Sequence, residues 1–199
     1  MASDVHHFIE THSLPSPVLI GHSMGAKVAM TLALQKPNLI THLISIDNAP
    51  LDAALKSDFG KYVHGMLQVE AAKVTRQSEA DAILQEYEPS LPIRQFLLTN
   101  LYRAPLEGSE GLSPYLTFRI PLKTLQRALD GMADFPFKDP EATRFEGPAL
   151  FVRGTKSEYV ADEALPVIGR FFPRFRVVDV EAGHWVVSEK PEDFKNGKS

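Results

Sequence analysis

Gly21-His22-Ser23-Met24-Gly25 constrains this chain more than any other stretch. The apolar run Val18-Leu19-Ile20 leads into it, and a helical pattern over residues 23–35 follows and stops before Pro37. A G-x-S-x-G set between a strand and a helix makes a sharp, strained turn that lifts the serine hydroxyl above a sheet. The glycines two before and two after the serine are expected to remove Cβ clashes. The helix that follows aims its first backbone N–H groups at an oxygen reacting at the serine, and the Met24 N–H is expected to be one such donor.

The remaining periodicity sets this turn in a sheet. Residues 3–12 are predicted helical, with Ser3 able to cap, and Pro15 and Pro17 break that helix. Residues 39–46 (LITHLISI) form a second buried strand, closed by Asp47-Asn48-Ala49-Pro50. The middle of the chain reads as short amphipathic helices over residues 57–74, 78–87, 91–100 and 121–130. Ser57 and Ser78 serve as caps, and Pro92 falls in a first turn. Ala149-Leu150-Phe151-Val152 is a third strand, residues 161–172 a helix despite Pro166, and residues 175–180 a fourth strand. Strands separated by helices predict a mostly parallel α/β sheet with its chemistry at the strands' carboxyl ends. Ser23, Asp47 and His184 each fall just past such an end.

Composition narrows the function classes. With 199 residues, the chain is expected to be one domain with an inserted lobe, at about 150 residues per domain. A net charge of −4 argues against a nucleic-acid surface. The absence of cysteine excludes thiolate metal sites, disulfide scaffolds and cysteine nucleophiles. No apolar run reaches the about 18 residues of a membrane helix. The start carries acids and no Lys or Arg, unlike a signal or transit peptide. An intracellular chain is therefore expected.

A serine nucleophile needs a base and an acid that orients it. Of seven histidines, only His184 follows a predicted strand end, in Ala182-Gly183-His184-Trp185. His6 and His7 lie on the first helix, His12 at its end, His42 in mid-strand and His64 in the inserted lobe. His22 is expected to pack beneath the turn. The acid is open at this level. Asp47 ends an apolar strand, where a carboxylate is costly to bury without a partner such as His184. The alternatives are Glu158, in the segment before the histidine's strand, and Asp130.

With these residues in hand, the chain resembles the α/β-hydrolase superfamily. It is most similar to the abhydrolase-domain-11 group of esterases and ethanol acetyltransferases. The resemblance rests on Gly21-His22-Ser23-Met24-Gly25, Ile46-Asp47-Asn48-Ala49-Pro50, residues 153–160 (RGTKSEYV), and Ala182-Gly183-His184-Trp185-Val186 with Glu189-Lys190-Pro191. It implies that Ser23 is the nucleophile, that Asp47 orients, and that His184 is base then acid. The implied chemistry is hydrolysis of an ester or thioester, or acyl transfer to an alcohol, with neither cofactor nor metal. Several relatives are mitochondrial, so the same location is expected by resemblance.

The expected architecture is a hydrolase core from residues 1–50 and 136–199 with a helical lid at 51–135. Members of the group carry several strands ahead of the serine turn, including a His-Gly turn that gives a second oxyanion donor. Here one helix precedes it, and His64-Gly65 lies after the nucleophile. The expectation is therefore an N-terminally truncated hydrolase with a full Ser-Asp-His set, an incomplete oxyanion hole and the first strand left at a sheet edge. The competing expectation is an inert fragment with at most a binding role.

Overall fold

Short β-branched runs that are apolar on both faces pair as parallel strands, because helices can then cover each face. A computed structural model places them so. It describes residues 1–52, 58–106, 108 and 110–197, with the side chains of Asp58, Asp130, Met132 and Ala133 outside the description. The expected Ser57 cap lies outside the described residues. The chain divides into two compact units, Met1–Asp52 with Asp134–Ser199, and Ala53–Ala133.

The first unit opens with α1 (Ala2–Thr11), β1 (Val18–His22), α2 (Met24–Gln35) and β2 (His42–Ile46). The second unit intervenes with α3 (Asp58–Ala71), α4 (Gln77–Leu84), α5 (Leu91–Leu98), β3 (Leu101–Pro105), β4 (Leu112–Phe118) and α6 (Leu122–Ala133). The first then resumes with β5 (Ala149–Gly154), α7 (Leu165–Phe171), β6 (Phe175–Val180), α8 (Val186–Glu189) and α9 (Pro191–Asn196). Its sheet runs β1-β2-β5-β6, every pair parallel. Alternation along the strands divides the core. Leu43 and Phe151 pack with Ala26, Met30 and Ala33 of α2 and Ile168 and Phe171 of α7. Ile46, Val152 and Val180 pack instead with Val186 of α8 and Phe194 of α9. β1 stands at the edge of the described sheet, and its Val18 and Ile20 are 49% and 62% exposed. Lys138 pairs with Asp52 and Asp134, the residues where the chain leaves and re-enters this unit, and holds the Asp52 carboxyl down at about 2.

The second unit has its own core, in which Val69, Ala80 and Leu84 are fully buried. Helices alone were expected here, but β3 and β4 form an antiparallel pair with Leu101 opposite Phe118. Pro105 and Pro114 mask the alternation from which a strand is read. Tertiary contacts supply what local pattern lacks. Glu70 accepts from the Thr117 hydroxyl and the Phe118 N–H, and Arg103 donates to the Thr75 and Ser113 carbonyls.

Several boundaries differ from expectation. α1 begins at Ala2 with Met1 as its N-cap, so Ser3 lies inside it and caps nothing. α4 begins at Gln77, putting Ser78 in the first turn; the Glu79 carboxylate takes the Thr75 and Arg76 N–H groups instead. β2 starts only at His42, which is therefore an exposed strand start rather than a mid-strand residue. The stretch expected as one helix at 161–172 is a 3-10 turn (Asp162–Ala164) running into α7, with Pro166 tolerated near the helix start, where no N–H is needed.

Candidate active site

Ser23 sits between β1 and α2 with φ +56° and ψ −120°, a region that L residues avoid unless their surroundings hold them there. Three backbone bonds do so: the Ser23 N–H donates to Ile46 O (3.0 Å), and the Ser23 carbonyl accepts from Ala26 N–H (3.0 Å) and Lys27 N–H (3.3 Å). The glycines on either side are not equivalent. A Cβ on Gly21 would come within 2.2 Å of the Gly25 carbonyl oxygen, whereas one on Gly25 would meet nothing within 4 Å. Only the first glycine is thus required for space, which corrects the expectation for the pair. Met24 opens α2, so its N–H lies in the first turn, where a helix has no internal acceptor.

Asp47 follows β2 with a positive φ of 49°. Its side chain is fully buried, and three donors meet its carboxylate. The Gly154 N–H reaches Oδ1 (3.0 Å), while the Ser157 hydroxyl and His184 Nδ1 (2.7 Å) reach Oδ2. Such a set satisfies a buried anion that would otherwise be costly. A carboxylate only accepts, so Nδ1 carries the imidazole proton and Nε2 presents its lone pair. Nε2 lies 2.9 Å from Ser23 Oγ. Serine, imidazole and carboxylate, scattered in sequence, therefore meet in one hydrogen-bonded line.

Glu158 is exposed, and the Asp130 side chain lies outside those described. Asp47 is the carboxylate that contacts His184. His22 does more than fill space beneath the turn: its Nε2 donates to the His184 carbonyl (2.7 Å). Burial pushes the His22 ring below its usual value and so favours the neutral form.

Four residues around this line were not read from the sequence as parts of the site. Asn48 Nδ2 donates to Ser23 O (2.9 Å), tying the turn after β2 to the turn after β1. The Glu189 carboxylate accepts from Gly183 N–H (2.8 Å) and Trp185 N–H (3.3 Å), gripping the backbone on both sides of His184. The Tyr159 ring stacks on the His184 imidazole, with centroids 4.1 Å apart. All four lie in the stretches that carry the resemblance, and the Ser157 hydroxyl donates to the Asp47 carboxylate. The sequence signal for Asn48 and Ser157 was faint, because both types also serve ordinary turns. Among the described residues, no group of three or more His, Cys, Asp or Glu side chains could hold a metal ion. Nor is any described helix long and apolar enough to cross a membrane.

Comparison with known proteins places the chain. It is 44% identical to a probable alcohol acetyltransferase of Saccharomyces cerevisiae over 96% of this chain and 58% of that protein. It is 37% identical to the sn-1-specific diacylglycerol lipase ABHD11 of Xenopus laevis, over 98% of this chain and 61% of the lipase. It is also 36% identical to the abhydrolase domain-containing protein C22H12.03 of Schizosaccharomyces pombe, covering 98% and 70%. The chain thus spans about three fifths of the length of the first and second of these relatives. A solved structure titled marine microorganism esterase superposes with a TM-score of 0.86 at 27% identity, over 98% of this chain and 73% of that one. Residues 1–191 match the family described by the alpha/beta hydrolase fold, and the chain belongs to that family.

Proposed function

We propose that this protein is a serine hydrolase of carboxylic ester or thioester bonds that can also pass its acyl group to an alcohol. The observation that carries the reading is the line of contacts Ser23 Oγ–His184 Nε2 (2.9 Å) and His184 Nδ1–Asp47 Oδ2 (2.7 Å). In the first half-reaction Ser23 Oγ bonds to the carbonyl carbon as its proton passes to Nε2. Asp47 holds the imidazolium that forms, and the Met24 N–H donates to the carbonyl oxygen as it becomes an oxyanion. The carbon–oxygen or carbon–sulfur bond then breaks, and Nε2 returns the proton to the leaving alkoxide or thiolate. Water or an alcohol repeats these steps on the acyl-enzyme and frees the acid or a new ester. The names of the relatives, an alcohol acetyltransferase and a diacylglycerol lipase, support an ester-like small-molecule substrate.

Residues 51–135 are proposed to set which acyl chain is accepted, and the mitochondrial location implied by resemblance is open to organelle fractionation. The test of the reaction is labelling of the purified chain with a fluorophosphonate probe, with Ser23→Ala as control. p-Nitrophenyl acetate turnover is then followed with and without ethanol. Labelling lost in the variant, with ethyl acetate formed when ethanol is present, is the expected result. A folded wild-type chain that neither labels nor turns over the ester would overturn the reading.

A further inference from the structure

The segment after β5 bears on the acid and on the base at once. Gly154 donates its N–H to Asp47 Oδ1, and Ser157 donates its hydroxyl to Asp47 Oδ2. Two residues on, the Tyr159 ring lies over the His184 imidazole with a centroid distance of 4.1 Å and an interplanar angle of 25°. The Tyr159 N–H reaches back to Ser157 Oγ (3.3 Å), so the residue that stacks on the base is tied to one that holds the acid. The segment is itself moored to the strand and turn that precede His184. Thr155 N–H donates to Val180 O (2.9 Å) and Lys156 N–H to Ala182 O (2.9 Å). At Gly154 a Cβ would lie 2.3 Å from Gly183 O, so the two loops run too close for a side chain there.

We propose that Tyr159 is a positioning residue for His184, its ring holding the imidazole in the one orientation that meets Ser23 and Asp47 together. This rests on the reading of His184 as the general base. An imidazole turns freely about its Cβ–Cγ bond unless something restricts it, and its two ring contacts point to opposite ends of the site. A face-to-face neighbour removes the competing orientations and costs nothing in hydrogen bonds. The groups facing His184 include the Asp47 carboxylate and the Ser23 hydroxyl at its nitrogens, the Tyr159 ring, the His22 ring at 4.9 Å and the Trp185 ring at 5.9 Å. Glu189 holds the neighbouring backbone. Of these, Tyr159 alone stacks, since the His22 and Trp185 rings are tilted by 37° and 66°.

The test compares Tyr159→Phe, which keeps the ring, with Tyr159→Leu and Tyr159→Met, which keep apolar bulk without it. The first readout is the low-field proton NMR signal of His184 Nδ1–H, assigned by its loss in Asp47→Asn; it needs no turnover. The second is the rate of fluorophosphonate labelling at fixed pH, with circular dichroism to confirm folding. The expected result is a sharp signal in wild type and Tyr159→Phe, and a broadened or absent one in the two aliphatic variants. Labelling should be roughly three- to tenfold slower in the aliphatic variants and near wild type in Tyr159→Phe. Wild-type signal and labelling in either folded aliphatic variant would overturn the proposal, as would a wild-type chain without the signal. A chain that shows the signal pattern but never labels would instead refute the hydrolase reading and leave the positioning role standing.

Discussion

Ser157 donates its hydroxyl to Oδ2 of Asp47, the same oxygen that His184 Nδ1 contacts from 2.7 Å. The end of β5 and the segment after it, which carries Glu158, thus supply two donors to the Asp47 carboxylate. With Gly154 on Oδ1, the carboxylate is fixed from both ends and cannot rotate away from the imidazole.

Removing that hydroxyl should therefore act through Asp47. Ser157→Ala leaves one acceptor site of a fully buried carboxylate unfilled, which costs about 1–3 kcal/mol. The expected outcome is a lower melting temperature and ester turnover reduced roughly tenfold, mainly in kcat, as measured by thermal melts and initial rates with p-nitrophenyl acetate.

Asp47→Asn tests the choice of acid directly. The amide can present its NH2 to Nδ1 and so favour the wrong imidazole tautomer, and the comparable change in a serine protease costs about 10⁴-fold in kcat. A loss of 10³-fold or more is expected here, while Glu158→Gln, on an exposed side chain, should stay within about twofold of wild type. The reverse ranking of these two variants would hand the role to Glu158.

Much of this arrangement was legible in the sequence because its parts obey local rules. β1 and β5 open with apolar runs that follow a Pro and lead into a Gly, and a G-x-S-x-G turn has few other uses between strand and helix. The meeting of Asp47 with His184 could be argued from cost, since an apolar strand end leaves a carboxylate in need of a partner. The supports lay in the stretches that carry the resemblance, but their roles were not legible. Asn48, Ser157, Tyr159 and Glu189 matter through contacts spanning two to 110 positions in the chain, and nothing in their flanking residues distinguishes them from turn formers or surface groups. The β3–β4 pair was missed for a related reason. Its bonds to Glu70 and Thr75 are tertiary, and its prolines break the alternation that marks a strand.

The two glycines of the serine turn should respond oppositely to alanine. At Gly21 the new methyl would lie 2.2 Å from the Gly25 carbonyl, against backbone that cannot yield without moving Ser23. A destabilisation of at least about 1–3 kcal/mol and loss of probe labelling are expected. At Gly25, inside α2 with open space, alanine should hold or raise stability by about 0.5–1 kcal/mol. Denaturant melts of the two variants, compared with wild type, decide the matter; equal losses would mean that Gly25 carries a steric demand too.

His22 should make stability depend on pH in a defined direction. Burial holds its ring below the ordinary value of 6.5 in the folded chain, while its Nε2 donates to the His184 carbonyl. As pH falls from neutral, the unfolded chain takes up this proton near 6.5 and the folded chain only at lower pH. Between the two values the unfolded state binds more protons, so the stability present above 6.5 is lost as pH falls through the depressed folded value. His22→Gln keeps a donor of similar reach and removes the titration. The gap in melting temperature between wild type and this variant should therefore shrink on going from pH 7 to pH 5, whereas carboxylates common to both proteins cancel. A gap that stays constant across that range would mean that the folded ring titrates like a solvated one, and that its neutral form is not what ties the serine turn to the His184 loop.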